Sequence, residues 1–119
     1  MPIFTLYTNV CQSAVPPSLM SDLCLLLEKA MDVPAKHFVI SLHTDQQMTF
    51  GNTSDPCAVC SLHSMGKLGD VQNENYSKLL CDILNKKLHI SPERVYINFV
   101  QVQSGNVGWN SITMAKVEL

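Results

Sequence analysis

The residue best suited to catalysis is the proline that follows the initiator methionine. Removal of Met1, which is normal before a small residue, would leave Pro2 with a free secondary amine. An α-amino group titrates at roughly 7.7 to 8.0, and burial lowers this pKa because it disfavours the charged form. A neutral amine can accept a proton from carbon, so Pro2 is a candidate general base. The alternative is an ordinary start residue with no catalytic role.

Cys57 and Cys60 form a C-x-x-C motif, a spacing that serves thiol redox chemistry at helix N-termini. Here the motif falls in a predicted strand, whose alternation would send residues three apart to opposite faces. That placement disfavours a shared metal ion, and a disulfide would require local distortion. Structural cysteines, a redox pair and, least favoured, a zinc site are the interpretations.

Other cofactor and catalytic motifs are missing from the sequence. There is no dinucleotide-binding glycine fingerprint, no P-loop and no nucleophile elbow. The four histidines have no metal-ligand spacing, and each is interpreted as a strand or helix-end residue; they are His37, His43, His63 and His89. We therefore expect neither a cofactor nor a metal.

Composition excludes several classes of protein. The 119 residues include 8 basic and 10 acidic side chains, and charged residues make up only 15% while hydrophobic residues make up 46%. Typical domains carry about 25% charge, so apolar surface is left over and we expect an oligomer. Without a basic cluster, nucleic acid is not an expected partner. No run approaches the ~20 apolar residues that cross a bilayer, so membrane insertion is not expected.

Cysteine usage and the N-terminus indicate a reducing compartment. The five cysteines are an odd number without a short-spaced framework, which suits free thiols. The first residues lack the basic region and long apolar core of a signal peptide. We therefore expect synthesis in the cytoplasm.

The elements that must position these residues occur twice in the same order. Two amphipathic helices are predicted from apolar residues at three-and-four spacing. The first carries Leu19 to Met31 and is ended by Pro34; the second follows the turn 66–69, carries Tyr76 to Leu88 and is ended by Pro92. Strands flank each helix, and a brief extra strand is predicted over 48–50. The four main strands are predicted at 2–9, 37–44, 57–65 and 94–102. One domain over 1–119 is expected, with an internal duplication of about 2–44 and 57–102.

Each half is a βαβ unit, so we predict an α/β (α+β) fold with a four-stranded mixed sheet and two helices on one face. The other face would be bare but apolar, since Tyr96 and Val100 alternate with the inward residues of the last strand. Other subunits in closed cyclic symmetry would cover it, with 106–119 as an edge strand between protomers.

Pro2 and four longer segments, which together span almost the whole chain, closely resemble the macrophage migration inhibitory factor family of the tautomerase superfamily. The segments are 55–67, 75–81, 90–98 and 106–110. The resemblance implies a homotrimer whose sheets surround a central channel. It also implies a keto-enol tautomerase for phenylpyruvate-like and dopachrome-like compounds, with three sites between subunits.

The resemblance also implies roles for individual residues. Pro2 would be the general base that moves a proton between carbon and oxygen. The neighbouring subunit would supply Tyr96 and Asn98, whose side chains can hydrogen-bond a substrate oxygen. The pocket walls that exclude water would come from Ser64, Met65, Val107 and Trp109. For the last two, ordinary interface core is the alternative.

Several positions depart from the family pattern. Val33 stands where the family has a lysine that helps hold the substrate carboxylate, and Lys36 or Lys67 could substitute for it. His37 and Met114 replace two aromatic pocket residues. The tail 115–119 runs past the usual end. We therefore expect carboxylate-bearing ketones to be turned over less well than by typical members.

The family is also known as a cytokine that is secreted without a signal peptide and that binds the MHC class II invariant chain and chemokine receptors. Its chemokine-receptor motif pairs an arginine with a distant aspartate; Asp45 matches, but Gln12 replaces the arginine. The resemblance thus implies a cytoplasmic and secreted protein, with the invariant chain as a better supported receptor than the chemokine receptors. A non-catalytic interaction protein with a vestigial pocket and a thiol-redox protein are the alternatives.

Overall fold

Four strands form one mixed sheet in the computed structural model, which describes residues 1–117. The sheet order is β2-β1-β3-β4, in which β1 is parallel to β2 and antiparallel to β3, and β3 is parallel to β4. The strands are β1 Ile3–Thr8, β2 Val39–His43, β3 Ala58–Ser64 and β4 Val95–Gln101. The α+β fold with a four-stranded mixed sheet is confirmed.

Helix α1 spans Leu19–Met31 and helix α2 spans Asp70–Leu88. Each buries one residue per turn at four-residue spacing, which is the stripe that amphipathic helices present to a core. Both helices end at a residue in the left-handed conformation, Asp32 with φ 55° and His89 with φ 57°. Each helix therefore stops before the proline that was expected to end it.

The two helices cover the same face of the sheet. Strand residues such as Phe4, Leu6 and Leu62 are fully buried in one cluster with the helix stripes. On the opposite face Tyr96 remains 67% exposed and Val39 55% exposed. Alternation along the strands thus produces one buried face and one uncovered apolar face, as the sequence predicted.

Short elements complete the described chain. The predicted strand over 48–50 is wrong: Phe50 and Thr53 form only an isolated bridge, because Gly51 and Asn52 adopt positive φ angles of 58° and 65° and close a two-residue turn. The C-terminal segment folds back on itself as a hairpin of β5 Gly108–Trp109 and β6 Ile112–Thr113. It is therefore not one continuous edge strand; its predicted place between protomers remains a prediction, and residues 118 and 119 lie outside the described part.

No helix within residues 1–117 is both long and apolar enough to cross a membrane.

Candidate functional site

A cavity of about 290 Å³ lies beside the N-terminal residue. It is enclosed by the beginning of β1, the turn that leads into β2, and the C-terminal hairpin. Its lining is mostly apolar, with one lysine and one histidine: Met1, Ile3, Lys36, His37, Phe38, Val39, Val107, Gly108, Trp109, Met114 and Val117. Such a site suits a small molecule with an apolar body and a polar or anionic end.

Pro2 is held at the end of the sheet next to this cavity. Its side chain is fully buried, and its carbonyl accepts the N–H of Val39 at 3.0 Å, which extends the pairing of β1 with β2. On the other side, Ile3 pairs with His63, so the antiparallel register brings Pro2 opposite the buried Ser64. The sequence-predicted residues Pro2 and Ser64 are therefore brought together.

The α-amino group in this chain belongs to Met1, which lines the cavity. Burial lowers the pKa of this amine below its ordinary value of 8.0. The nitrogen of Pro2 is meanwhile a peptide nitrogen and cannot act as a base. Removal of Met1 would move the amine to Pro2, where burial would lower the pKa of the amine for the same reason.

Lys36 and His37 lie in a short 3-10 turn, Ala35–His37, between α1 and β2. A Glu28 carboxylate oxygen accepts the Ala35 N–H at 2.6 Å, which ties this turn to the end of α1. Lys36 is exposed and takes part in none of the ion pairs found within residues 1–117. An unpaired cation at the rim of an apolar cavity can attract an anionic ligand.

The C-terminal hairpin supplies the opposite wall. The Met114 N–H donates to the Val107 carbonyl at 2.8 Å, and Trp109 pairs with Ile112. Val107, Trp109 and Met114 all line the cavity, and Trp109 is 57% exposed. Two of the four predicted wall residues, Val107 and Trp109, are therefore found in the lining.

Other predicted residues lie away from the cavity within a single chain. Tyr96 and Asn98 are on β4, which β3 separates from β1, and both are exposed on the uncovered sheet face. Met65 is not in the lining, and neither is Lys67, which adopts a left-handed conformation with φ 64° in the turn after β3. Of the two candidate lysines, only Lys36 reaches the cavity of its own chain.

Five lining residues were not singled out from the sequence: Ile3, Phe38, Val39, Gly108 and Val117. Their types and spacing are those of ordinary strand and loop residues. Only the turn before β2 and the hairpin bring them to the N-terminus, so no local signal could have identified them.

Cys57 and Cys60 are both buried, and the described cysteines are free thiols. Strand β3 begins at Ala58, so the predicted strand start at Cys57 is one residue early and alternation does not fix the direction of Cys57. Burial, with a smaller contribution from the nearby Cys81, raises the pKa of Cys60 to about 12. The reactive thiolate is therefore disfavoured at Cys60. No group of three or more His, Cys, Asp or Glu side chains within 1–117 is arranged to hold a metal.

Gln12 and Asp45, which lie far apart in the sequence, are adjacent on the surface. The Gln12 N–H donates to Asp45 Oδ2 at 3.0 Å, and the Thr44 hydroxyl donates to the same oxygen at 3.1 Å. These hydrogen bonds, the one from Gln12 first, lower the pKa of Asp45. The carboxylate thus lies beside a neutral amide side chain at the position where the family motif has a cation.

Comparison with known proteins gives one consistent result. Residues 1–115 match the sequence profile of a family described as macrophage migration inhibitory factor (MIF). The protein of that name from Xenopus laevis is 54% identical over 115 residues, which are 97% of this chain and all of that protein. The protein from Rattus norvegicus is 52% identical over the same shares of both chains.

Solved structures agree with the sequence relatives. The macrophage migration inhibitory factor of Trichinella spiralis superposes with a TM-score of 0.90 at 37% identity, covering 93% of this chain and 98% of that one. A homologue from Prochlorococcus marinus gives a TM-score of 0.87 at 27% identity, covering 94% of this chain and 98% of that one.

Proposed function

The chain belongs to the macrophage migration inhibitory factor family, and from this membership we propose that it is an isomerase that interconverts the keto and enol forms of phenylpyruvate-like and dopachrome-like compounds. The observation that carries the proposal is the apolar cavity at the N-terminus, where burial lowers the pKa of the α-amino group. A lowered pKa increases the neutral fraction of the amine, and the neutral form is the one that can act as the base.

In the proposed mechanism, the neutral amine of Pro2 takes a proton from the carbon next to the substrate carbonyl. The electron pair of the broken C–H bond moves towards the carbonyl oxygen, and the protonated amine then returns a proton to that oxygen. Donors at the oxygen stabilise the developing negative charge. Tyr96 and Asn98 of a neighbouring subunit are the proposed donors, while Lys36 attracts the substrate carboxylate.

We propose that the site is completed in a homotrimer around a central channel. The uncovered sheet face carries exposed apolar side chains, including Val39, Tyr96 and Val100, which supports burial against other copies. Tyr96 and Asn98 are also too far along the sheet to serve the cavity of their own chain. Sedimentation equilibrium should give three times the 13.2 kDa chain mass, and a stable monomer would contradict the proposal.

Pro2→Gly tests the isomerase directly. Once intact-mass measurement shows that Met1 has been removed, the wild type should turn over dopachrome, and the variant should lose about 100-fold or more because its base is changed. A form that retains Met1 should be equally impaired, since its Pro2 nitrogen is an amide. Unchanged turnover in Pro2→Gly would show that Pro2 is not the base, and no turnover by the processed wild type would favour the vestigial pocket.

Reduced turnover of carboxylate-bearing ketones is proposed from the absence of the family lysine. Val33 is half-buried just after α1, and it does not line the cavity. Val33→Lys should raise kcat/KM for phenylpyruvate because it restores a cation at the position of the family lysine. An unchanged value would show that this position does not limit activity.

A second proposed role is that of a cytokine-like ligand that is cytoplasmic and also secreted without a signal peptide. It is supported by family membership, and the invariant chain is the proposed receptor. The neutral Gln12 beside Asp45 argues against strong chemokine-receptor signalling. Release from intact cells and binding to the immobilised invariant-chain ectodomain would test this role, with Pro2→Gly expected to bind as the wild type does.

The thiol-redox alternative has less support, since Cys60 is buried and its pKa is raised to about 12. Insulin reduction by Cys60→Ser provides the test, and a loss of activity would favour the redox role.

A further inference from the structure

Arg94 fastens the loop between β2 and β3 through four backbone carbonyls. Its Nε donates to the Pro56 carbonyl at 3.0 Å and its Nη1 to the Phe50 carbonyl at 2.9 Å. Its Nη2 donates to the carbonyls of Asp55 at 2.9 Å and Thr53 at 3.3 Å. A guanidinium offers five N–H donors in a fixed plane, so most of them are used within this one loop.

Phe50 connects this arrangement to Tyr96. The Arg94 Cζ lies 5.3 Å from the centre of the Phe50 ring, and the Phe50 and Tyr96 ring centres are 4.9 Å apart with a 42° angle between their planes. The three side chains therefore form a continuous row in which Phe50 lies between the guanidinium and the tyrosine.

Tyr96 has few other restraints in a single chain. It lies on the uncovered sheet face at 67% exposure, opposite Val59 on β3. Its hydroxyl takes part in none of the hydrogen bonds found among residues 1–117. A tyrosine ring on an open sheet face would otherwise be free to change its χ angles, so the Phe50 ring limits its orientation.

We propose that Arg94 and Phe50 are positioning residues that hold the Tyr96 ring where its hydroxyl can donate to the substrate oxygen in the cavity of a neighbouring subunit. This inference rests on the proposed function. Arg94 holds Phe50 through a hydrogen bond to the Phe50 carbonyl and through contact with the Phe50 ring. The Phe50 ring in turn packs against the Tyr96 ring. Neither residue lines the cavity of its own chain, which is also true of Tyr96.

Arginine is required at this position for geometric reasons. Arg94 is the only arginine in the 119 residues, and its partners are carbonyl groups spread along a loop rather than a single carboxylate. A lysine carries three donors on one nitrogen and cannot span four carbonyls in this way. Arg94→Lys should therefore behave like a loss of these hydrogen bonds, although it keeps the charge.

The first test is Phe50→Leu, which keeps an apolar side chain and removes the ring. Misplacement of a substrate-contacting group is costly, so kcat/KM for dopachrome should fall about tenfold, as should that of Arg94→Lys. The matched control is Phe99→Leu, since Phe99 is on the same strand but its ring lies 6.2 Å from that of Tyr76. That control should stay within about twofold of the wild type, with assembly checked by sedimentation.

A double-mutant cycle separates positioning from general destabilisation. In a Tyr96→Phe background the hydroxyl is already absent, so Phe50→Leu should lower kcat/KM by less than about twofold further. An equal loss in both backgrounds would overturn the inference. Three other results would overturn it: unchanged turnover in Phe50→Leu, unchanged turnover in Tyr96→Phe, or an equal loss in Phe99→Leu.

The two proposals fail in distinguishable ways. No turnover by the processed wild type would overturn the isomerase and the positioning role together. An active wild type that is inactivated by Pro2→Gly but is unaffected by Phe50→Leu would overturn only the positioning role.

Discussion

Lys36→Gln is expected to weaken turnover of a carboxylate substrate while sparing its uncharged ester. Lys36 lines the cavity, is exposed and makes no ion pair within residues 1–117, so its ammonium is available to a bound anion. The substitution removes this charge but keeps a polar side chain of similar length. Only the electrostatic part of substrate binding should therefore change.

The magnitude follows from the exposure of this lysine. Two unit charges about 4 Å apart attract each other by about 1 kcal/mol in water, and exposed ion pairs usually contribute between about 0.2 and 1 kcal/mol. A factor of ten in an equilibrium constant corresponds to about 1.4 kcal/mol. We therefore expect kcat/KM for phenylpyruvate to fall by a factor between about 1.4 and 5. The loss should shrink at about 1 M salt, where the screening length falls to about 3 Å.

Steady-state assays with phenylpyruvate and with its methyl ester provide the measurement. The matched control is Lys29→Gln, which removes the same charge from an exposed position on α1 outside the cavity. The electrostatic interpretation would be refuted if the ester lost as much as the acid, or if the control variant lost as much as Lys36→Gln.

Three further predictions concern stability and reactivity. Leu80→Ala should lower the free energy of unfolding in urea by about 2 to 5 kcal/mol because Leu80 is fully buried. Val71→Ala on the same helix, where Val71 is 81% exposed, should change it by less than about 0.5 kcal/mol, and similar losses would contradict this. Iodoacetamide at pH 8 should label the exposed Cys11 well before Cys60, whose pKa is raised to about 12, and mass spectrometry showing fast labelling of Cys60 would contradict this. The pKa of Asp45 is lowered, so its contribution to stability is present at neutral pH and is lost as the pH falls below about 4. Asp45→Asn should therefore show a smaller acid-induced loss of stability in urea titrations, and an identical acid profile would refute this.

The main strands and helices were predictable because their signals are local. Alternation on β4 separates Val95, Ile97 and Phe99 from Tyr96 and Val100, and the structure buries or partly buries the first set while exposing the second. The predicted bounds differ from the observed ones by one or two residues at most ends. Some of these differences lie beside 3-10 turns or left-handed residues, such as the turn Ala35–His37 before β2 and Asp45 after it, which apolar spacing does not indicate.

The loop around Phe50 shows why other parts could not be predicted. The apolar and β-branched residues at 48–50 favour a strand, but the chain turns at Gly51 and Asn52, and the Phe50 carbonyl accepts a hydrogen bond from Arg94, which is 44 residues away. A contact at that separation leaves no trace in local spacing. Residue type indicates the tight turn at Gly51 and Asn52, but it does not indicate that Arg94 hydrogen-bonds this loop.

Only part of the candidate site could be predicted from the sequence. Pro2, Val107 and Trp109 were indicated by family resemblance, and the structure brings Val107 and Trp109 to the N-terminal cavity. Spacing alone could not choose between Lys36 and Lys67. Within one chain Lys36 lines the cavity and Lys67 does not, because the turn before β2 lies next to the start of β1. Lys67 lies in the turn after β3, where its carbonyl accepts a hydrogen bond from the Tyr76 hydroxyl at 2.6 Å.

The burial of Pro2 has a practical consequence for anyone who expresses this protein. Because Pro2 is buried and Met1 lines the cavity, an N-terminal affinity tag would be attached at the cavity. Such a tag would obstruct the cavity and would also keep the Pro2 nitrogen in a peptide bond. Fusion partners therefore belong at the other end of the chain, and under the proposed mechanism an N-terminally tagged preparation would be inactive.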